Sequence, residues 1–282
     1  MTMLLKNTRN EFIKILAKPR SYIGLAALTL LIVIILFAMK ADGKMYISFV
    51  TASFEQTLSF NGNVLNGNLI AFIILQMLIV HIPLLVALVT GDLLSGEAAM
   101  GTLRMLLTKP ISRNQVVFSK LIAAAVYTLI LVLWMGFLAL FVGRWIFGTG
   151  DLIVLNSDGL VILNYTDVLW RYGLAFLVAY LALMTVSTLS LAFSAFADNS
   201  IGPIVSTMAV IILFTIIGTL DVSVFDLIKP WLFTTHMASW RSYFNDPVPW
   251  SAIYNSIYIL LAHNVIFVLI ALVKFRKKDI TS

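Results

Sequence analysis

The chain has 282 residues, of which 61% are hydrophobic and 11% are charged, and its mean hydropathy is +1.00. A soluble domain of this composition would expose large apolar patches, so the composition excludes a soluble globular protein and indicates a membrane protein. The absence of cysteine excludes disulfides, thiol nucleophiles and thiolate metal sites. The net charge is +6, and the basic residues are spread along helix ends, so the inner membrane surface is favoured over nucleic acid as the partner of these charges.

Apolar runs of about 20 residues recur along the chain and match the thickness of the bilayer hydrocarbon. Backbone groups in hydrocarbon must be paired within their own segment, and the runs lack the alternation of barrel strands, so each run is predicted to be a helix. The sequence therefore predicts an all-α polytopic membrane protein with one transmembrane domain and six spans. The predicted spans are residues 21–39, 69–90, 117–143, 171–197, 200–220 and 252–273.

Lysine and arginine predict the orientation of the chain, because these residues stay on the side where the protein is synthesised. Six spans put both termini on one side, and thirteen of the 19 basic residues fall on that side. Both termini are therefore predicted to lie on the cytoplasmic side of the membrane. Most tryptophans lie at predicted outer positions, where indole rings suit the headgroup layer. These are Trp145, Trp170, Trp231, Trp240 and Trp250.

The first segment, residues 1–18, precedes the first span. On a helix over these residues, Lys6, Asn10 and Lys14 lie on other faces than the apolar residues, which lie near one face: Leu5, Phe12, Ile15 and Leu16. This pattern predicts a helix that lies in the inner interface before Pro19 turns the chain into the membrane. The alternative is a basic anchor without helical order.

The predicted outer segments are more polar than the spans. Residues 40–68 and 144–171 are expected to be irregular or partly strand-like, with a weak hairpin signal through Asn156–Gly159. Residues 221–251 are aromatic, contain prolines and are too polar to span. They are expected either to dip partway into the membrane as short helices, a re-entrant segment broken at Pro230, or to form a surface loop anchored by tryptophans.

Spans four and five are joined by only four residues, 197–200, so they are predicted to pack as an antiparallel pair. Span four carries several hydroxyl residues, and Ser190 and Ser194 share one face of its helix. Small hydroxyl residues at this spacing favour close helix packing, and a polar path is the alternative.

No catalytic motif is present: the chain lacks H-E-x-x-H, G-x-S-x-G and the phosphate-binding loop, so we expect neither ATP hydrolysis nor another enzyme activity from it. Two histidines, His81 and His263, fall at mid-membrane depth, where ionisable groups merit a functional hypothesis. Pro83 frees carbonyls that His81 can satisfy, and Asn264 offers His263 a similar structural role. A substrate path and metal ligation are the alternatives, and two histidines on separate helices without a third ligand make a poor metal site.

Residues 91–110 form a polar island between spans two and three. Acids lie in the first turns, Asp92 and Glu97, and bases lie toward the end, Arg104 and Lys109, as the helix dipole favours. The segment therefore predicts a short amphipathic helix in the inner interface, too short and too charged to span.

The ends and faces of this helix follow from the same residues. Gly91 is expected to end span two as a C-cap, and Pro110 is expected to stop the helix. Glu97 and Arg104 are seven residues apart, so they are predicted to share a face that points to a partner in the cytoplasm. The alternative is a solvated interfacial loop.

The same stretch carries a specific order of residue types, E-x-x-x-G-T-L-x-x-L-L-x-x-P-x-S-R over residues 97–113, followed by Lys120-Leu121. This order resembles the signature of the membrane subunits of ABC-2 type exporters, in which it also lies between spans two and three. The amphipathic first segment with Glu11, the short inner turn between spans four and five, the long outer segment before span six and the basic tail are similar as well.

The resemblance implies a permease that pairs with a separate ABC ATPase subunit, which binds ATP and Mg, and with a second copy of the permease. The helix between spans two and three would be a coupling helix seated in a groove of the ATPase. Longer outer loops suggest a further periplasmic or surface partner. The residues implied in ATPase binding are Asp92, Glu97, Gly101, Arg104, Lys109 and Arg113.

Two other hypotheses stay open from the sequence. The first is a secondary transporter or ion channel that relays protons or ions through His81 and His263, although no inverted repeat supports it. The second is a membrane scaffold without transport activity. The sequence does not identify a substrate.

Overall fold

The structure is a computed structural model that describes residues 3–51, 64–108, 110–156 and 159–279. Most of these residues are helical. Five helices are long and apolar enough to cross a membrane, and a bent pair of helices would make a sixth crossing. The chain is a mostly helical, polytopic membrane protein. The five are Pro19–Gly43, Arg113–Phe147, Tyr165–Phe196, Ile201–Thr219 and Trp250–Lys277.

The predicted second span is broken in two. Helices α3 (Gly67–Leu78) and α4 (Ile82–Thr90) meet at 52°. Pro83 lies in the first turn of α4, and a proline cannot continue the hydrogen-bond ladder of a preceding helix. The residues between the two helices therefore form a turn, in which the His81 N–H donates to the Leu78 carbonyl over 2.9 Å.

Two helices extend beyond their predicted bounds. Helix α2 runs from Pro19 to Thr51, so the prediction of irregular structure is wrong for residues 40–51, and residues 52–63 lie outside the described part of the chain. Residues just after 39 are mostly good helix formers and include no proline, so nothing local ends the helix at the membrane boundary. The third span similarly continues as one helix over Arg113–Phe147, built from α7 (Arg113–Gly136), a π-helical turn and α8 (Gly143–Phe147).

The predicted hairpin is confirmed. Strands β1 (Leu152–Asn156) and β2 (Gly159–Leu163) pair antiparallel, with Asn156 opposite Gly159 at the turn. Gly159 has a φ of 133°, a conformation that residues with a Cβ rarely adopt. The strands are therefore joined between Asn156 and Gly159, as the sequence predicts, and residues 157–158 lie outside the described part of the chain.

Helix α9 (Tyr165–Phe196) is the centre of the bundle and contacts α4, α7, α10 (Ile201–Thr219) and α12 (Trp250–Lys277). Two thirds of its apolar window is buried within the protein, against about a tenth for α10. Small side chains on α9 allow neighbouring backbones to approach, whereas α10 presents branched aliphatic residues outward. The predicted packing of spans four and five is confirmed by the contacts between α9 and α10.

Residues between α10 and α12 form one short α-helix, α11 (Phe233–Met237), and three 3-10 helices, Ser223–Phe225, Lys229–Trp231 and Ser239–Phe244. Their aromatic side chains, Phe233, Trp240 and Phe244, are fully buried against α9, α10 and α12. The segment therefore packs on the bundle through a core of its own rings, and it differs from a loop anchored only by surface tryptophans.

Each end of the bundle carries a different set of elements. One end, which we call the terminal end, holds α1 (Met3–Ala17), the polar island, the 197–200 turn and the last turn of α12. Hydrogen bonds connect these elements: Lys278 Nζ, for example, donates to the Ala197 carbonyl and pairs with Asp198, each over 2.7 Å. The hairpin and the segment between α10 and α12 lie at the opposite end. Both described chain ends are therefore on the same side of the bundle.

Candidate functional site

The polar island forms two helices, so the prediction of one helix over residues 91–110 is wrong. Helix α5 covers Asp92–Ala99 and helix α6 covers Thr102–Leu107. Between them Gly101 has a φ of 68°, in the left-handed region, which ends α5 and redirects the chain. Lys109, one of the expected partner contacts, lies outside the described residues.

Gly91 stands at the C-cap position of α4, as predicted, and its N–H donates to the Ala87 carbonyl over 2.8 Å, but it does not adopt the left-handed conformation that usually ends a helix. Its backbone is right-handed helical, with φ −66° and ψ −24°, so α4 passes almost directly into α5. A Cβ on this residue would lie 2.9 Å from Ser190 Oγ. The glycine therefore lets α9 approach the α4–α5 junction closely.

The two serines that are predicted to share a face of α9 hold the α4–α5 region: Ser194 bonds to α5 and Ser190 bonds to α4. Ser194 Oγ accepts hydrogen bonds from the Leu94 and Ser95 N–H groups over 3.1 and 2.9 Å, and the Ser190 hydroxyl donates to the Ala87 carbonyl over 3.3 Å. The first N–H groups of a helix have no partner within it, so Ser194 acts as a cap supplied by another helix. These contacts support close packing over a polar path.

Glu97 belongs to a cluster of alternating charges at the terminal end. Lys120 Nζ lies 2.8 Å from Glu11 Oε2 and 2.9 Å from Glu97 Oε1, and Lys14 Nζ lies 2.8 Å from Glu11 Oε1 and 2.6 Å from Glu97 Oε1. We call these four residues the buried charge cluster. The side chains of Glu11 and Lys120 are each 1% exposed, and the two carboxylates balance the two ammonium groups. The cluster joins α1, α5 and α7.

The prediction that Glu97 shares a face with Arg104 and points to a cytoplasmic partner is therefore wrong. The turn at Gly101 separates the two residues onto different helices, and the docking of α1 covers α5. Burial raises the pKa of Glu97, but the charges and hydrogen bonds of Lys120 and Lys14 outweigh it, so this pKa lies below its usual value. Burial likewise lowers the pKa of Lys14, and the two glutamates more than offset it, so that pKa is raised.

The first segment contributes its polar face to the cluster. Helix α1 forms as predicted, over Met3–Ala17, but the exposed fractions of Leu5 and Leu16 are 52% and 57%, while Glu11 and Ile15 are buried. The apolar side chains on the outer face suit the membrane interface, and the inner face binds the protein through charge.

Asp92 is also buried in ion pairs. Its carboxylate lies 2.6 Å from Lys18 Nζ and 2.7 Å from Arg20 Nη1, and it accepts a hydrogen bond from the Ser200 hydroxyl. Burial raises the pKa of Asp92, but the hydrogen bonds from Lys18 and Ser200 and the charges of Lys18 and Arg20 outweigh it, so this pKa lies below its usual value. These contacts tie α5 to the junction of α1 with α2 and to the start of α10.

Arg113 contacts the end of α12. Its guanidinium donates to the carbonyls of Phe275 and Arg276, each over 3.0 Å, and to that of Lys278. A cation at the last carbonyls of a helix satisfies acceptors that have no partner within the helix and opposes the negative end of its dipole. The preceding Ser112 caps α7 in a capping box with Gln115. These residues therefore hold the two helix ends together.

The outer side of the island is exposed. Leu103 and Leu106 of α6 are buried, whereas Met100 and Met105 are 60% and 65% exposed and Arg104 is exposed between them. Met100, which directly follows α5, and Arg104 and Met105 of α6 form one exposed surface that we call the exposed α6 face. Of the residues expected to bind a partner, Arg104 thus lies on an accessible surface, next to the exposed turn at Gly101.

The two histidines bond to their own helices. The His81 Nδ1 atom lies 2.7 Å from the Met77 carbonyl at the break between α3 and α4, and the His263 Nδ1 atom lies 2.9 Å from the Ile259 carbonyl in α12. No group of three or more residues able to hold a metal ion occurs among the described residues. Each histidine ring is therefore within hydrogen-bond distance of a carbonyl four residues earlier in the chain, as the structural interpretation expects.

Asn264 does not satisfy His263, contrary to the expectation. Its amide donates to Thr185 Oγ1 over 2.8 Å, and its oxygen accepts from the Thr188 hydroxyl over 3.1 Å. The His263 ring instead contacts Phe233 and Phe267. Asn264 thus joins α12 to α9.

Glu97 and Lys120 were singled out from the sequence, whereas the ion pairs that Lys14, Lys18 and Arg20 form were not. The spacing of Glu11, Lys14 and Lys18 on one helix was a usable signal, because residues three or four apart share a face. The residues of α1 alone do not predict the partners of that face, because these partners lie in other helices.

The fold and the site define a class: a helical polytopic membrane protein with an ion-paired polar island between two crossings. The chain belongs to DUF2705, a protein family of unknown function whose profile matches residues 28–281. The match includes the whole polar island and Lys120 and leaves out α1. Curated proteins yielded no match to the chain.

Proposed function

We propose that this chain is the permease subunit of an ATP-driven ABC-2 type export system in the cytoplasmic membrane of a bacterium. The observation that carries the proposal is how the polar island packs on the protein. Its inner side forms buried ion pairs, and its outer side presents the exposed α6 face. A segment that is firmly fixed on one side and exposed on the other suits the transmission of force from a partner.

The residues that resemble the ABC-2 signature support this role through their contacts. Glu97 joins the buried charge cluster, Gly101 makes the turn between α5 and α6, Ser112 caps α7 and Arg113 holds the end of α12. In this proposal these residues shape the coupling segment, and the contacts with the ATPase move to Met100, Arg104 and Met105.

The proposed topology has six crossings, with the bent α3–α4 pair as the second, and cytoplasmic termini. The excess of lysine and arginine at the terminal end supports this orientation. The exposed α6 face then lies in the cytoplasm, where an ATPase subunit is available. That subunit binds ATP and Mg and performs the hydrolysis, and a second permease copy completes the transport path.

Coupling follows from the links of α5 to its neighbours. The buried charge cluster joins α5 to α7 and α1, Asp92 joins it to α10 through Ser200, and Ser194 joins it to α9. A displacement of α5–α6 by nucleotide-driven closure of the ATPase would be shared by α4, α7 and α9 and would shift the crossings between two arrangements.

The test is co-purification of the tagged chain from its native membranes, with mass spectrometry to identify a protein that carries the phosphate-binding loop. We expect such an ATPase with the wild-type chain and at least a tenfold loss with Arg104→Glu, since a charge reversal inside an interface costs more than about 1.4 kcal/mol. Met105→Asp should act similarly.

Lys277→Glu is the matched control, because it reverses an exposed charge at the same end of the bundle, outside the α6 face. It should leave co-purification unchanged. Equal recovery of the ATPase with Arg104→Glu and with wild type, or recovery of the wild-type chain without any ATPase, would contradict the proposal.

A further inference from the structure

An open cavity of about 410 Å³ lies beside the break between α3 and α4. Its walls are mostly apolar and come from three elements: Val80 and Pro83 at the break, Ile211 and Thr215 on α10, and the segment around α11. The cavity therefore lies at the point where the chain bends by 52° between α3 and α4. The volume is in the range of sites for small molecules.

The cavity borders the surface that faces lipid. Val80 is 68% exposed, and the neighbouring α10 residues Ile212 and Ile216 are 54% and 49% exposed. Apolar residues this exposed in a polytopic membrane protein contact acyl chains. A chain from the bilayer can therefore enter the cavity sideways, between the break and α10.

Arg241 gives the cavity a positively charged margin. It lines the cavity and is exposed, and its guanidinium lies 5.6 Å from the centre of the Trp240 ring. It has no acidic partner within 4 Å among the described residues. Nearby, the Thr234 hydroxyl oxygen is buried without a hydrogen-bond partner in the described part of the chain. Cationic and hydroxyl groups beside an apolar cavity match an anionic headgroup with an attached acyl chain.

We infer that this cavity binds a membrane lipid with an anionic headgroup, with one acyl chain between the break and α10 and the headgroup at Arg241. The site lies at the end opposite the polar island, and its occupancy does not depend on an ATPase. The inference is therefore separate from the proposed export function.

The experiment uses the full-length chain reconstituted in phosphatidylcholine vesicles. A small fraction of the lipid carries a photoactivatable acyl chain, either on phosphatidylglycerol or on phosphatidylcholine. Cross-linked peptides from residues 79–83, 211–219 and 234–241 are quantified against those from the lipid-facing side of α2, which report general contact with the bilayer. We expect cavity labelling by phosphatidylglycerol to exceed labelling by phosphatidylcholine about fivefold, the ratio expected for one cation near a lipid headgroup.

Three substitutions locate the effect. Arg241→Gln should remove the preference for phosphatidylglycerol, Arg241→Lys should retain most of it, and Val80→Trp should reduce cavity labelling by both lipids because it fills the opening. Lys40→Gln, which removes an exposed charge on α2 outside the cavity, is the control and should change nothing. Equal labelling by the two lipids, or an unchanged preference in Arg241→Gln, overturns the inference.

A second copy of the chain is the competing occupant. Because the chain has no cysteine, Val80→Cys introduces a single thiol at the cavity opening. We expect it to form no disulfide-linked dimer under oxidation in the vesicles, whether or not two copies associate through another surface. Efficient disulfide-linked dimers through this residue would show that protein, not lipid, covers the cavity and would overturn the inference.

Discussion

Replacing Lys120 with methionine perturbs the buried charge cluster at its least accessible member. The Lys120 side chain is 1% exposed and contacts both glutamates. Methionine is similar in length and has no charge. The variant leaves the two carboxylates, Glu11 and Glu97, with one ammonium group, Lys14, and one negative charge without compensation.

The size of the effect follows from burial. Removal of one partner from a buried ion pair costs about 3–5 kcal/mol, whereas a surface pair contributes about 0–1 kcal/mol. Lys14 contacts both glutamates and its side chain is 44% exposed, so water and Lys14 can offset part of the loss. We therefore expect Lys120→Met to lower the free energy of unfolding by about 3 kcal/mol.

The assay is equilibrium unfolding of the purified chain in mixed micelles, followed by helical circular dichroism. Lys277→Met, an exposed lysine at the same end of the bundle, is the control, with an expected change within about 0.5 kcal/mol. The double variant Glu11→Gln with Lys120→Met restores the charge balance, with Lys14 and Glu97 still paired. We expect it to recover at least half of the loss, because the two sites are in contact and their effects are not additive.

Two results would refute this reasoning. A stability of Lys120→Met within about 0.5 kcal/mol of wild type would mean that the cluster is hydrated and behaves as a surface network. A double variant as unstable as the sum of its two single variants would mean that charge balance is not what holds α1 to α7.

Two further predictions concern the polar island. The pKa values of Asp92 and Glu97 are lowered in the folded protein, so both carboxylates stabilise the fold at a pH above their unfolded pKa, about 4. This stabilisation should be lost as the pH falls below that value. Unfolding measured from pH 7 to pH 3 should show the loss, and a stability that does not change with pH would contradict the prediction. Gly101→Ala should lower the free energy of unfolding by about 1–2 kcal/mol because φ at this residue is 68°. Gly173→Ala is the control: it lies in α9, no atom lies within 4 Å of the added Cβ, and the change should raise the free energy of unfolding by up to about 1 kcal/mol. Equal effects of the two substitutions in thermal unfolding would show that backbone conformation is not the cause.

The crossings were predictable, and their ends were less so. Hydrophobic length identified each of the five long helices, since the cost of polar groups in hydrocarbon is a local property of the chain. The ends of α2 and α7–α8 were misjudged because leaving hydrocarbon does not oblige a helix to stop. The hairpin was found because its turn residues, Asn156 and Gly159, are local signals.

The polar island was located from the sequence, but its orientation was not. Residue types at 97–113 marked the segment, whereas the direction of Glu97 depends on the left-handed turn at Gly101 and on the docking of α1. The partners of Glu97 lie elsewhere in the chain, and Lys120 meets a glutamate 109 residues away. Periodicity cannot predict such pairs.

The cavity beside α10 was also beyond the sequence. Pro83 predicts a distortion, but the angle of the bend and the arrival of Arg241 from a segment that follows α10 depend on how three elements pack together. The sequence indicated an aromatic segment with prolines that forms short helices or a surface loop, but not which of its residues would meet the bend between α3 and α4.

The amino-acid sequence by itself determined that the chain is a helical membrane protein and where its polar island lies, because transfer of a segment into hydrocarbon is decided by the residues of that segment. The tertiary structure alone decided which charges are buried and which face of the island is open. Ion-pair energy and burial depend on distances between groups that are remote in the chain, and those distances exist only once the helices have packed.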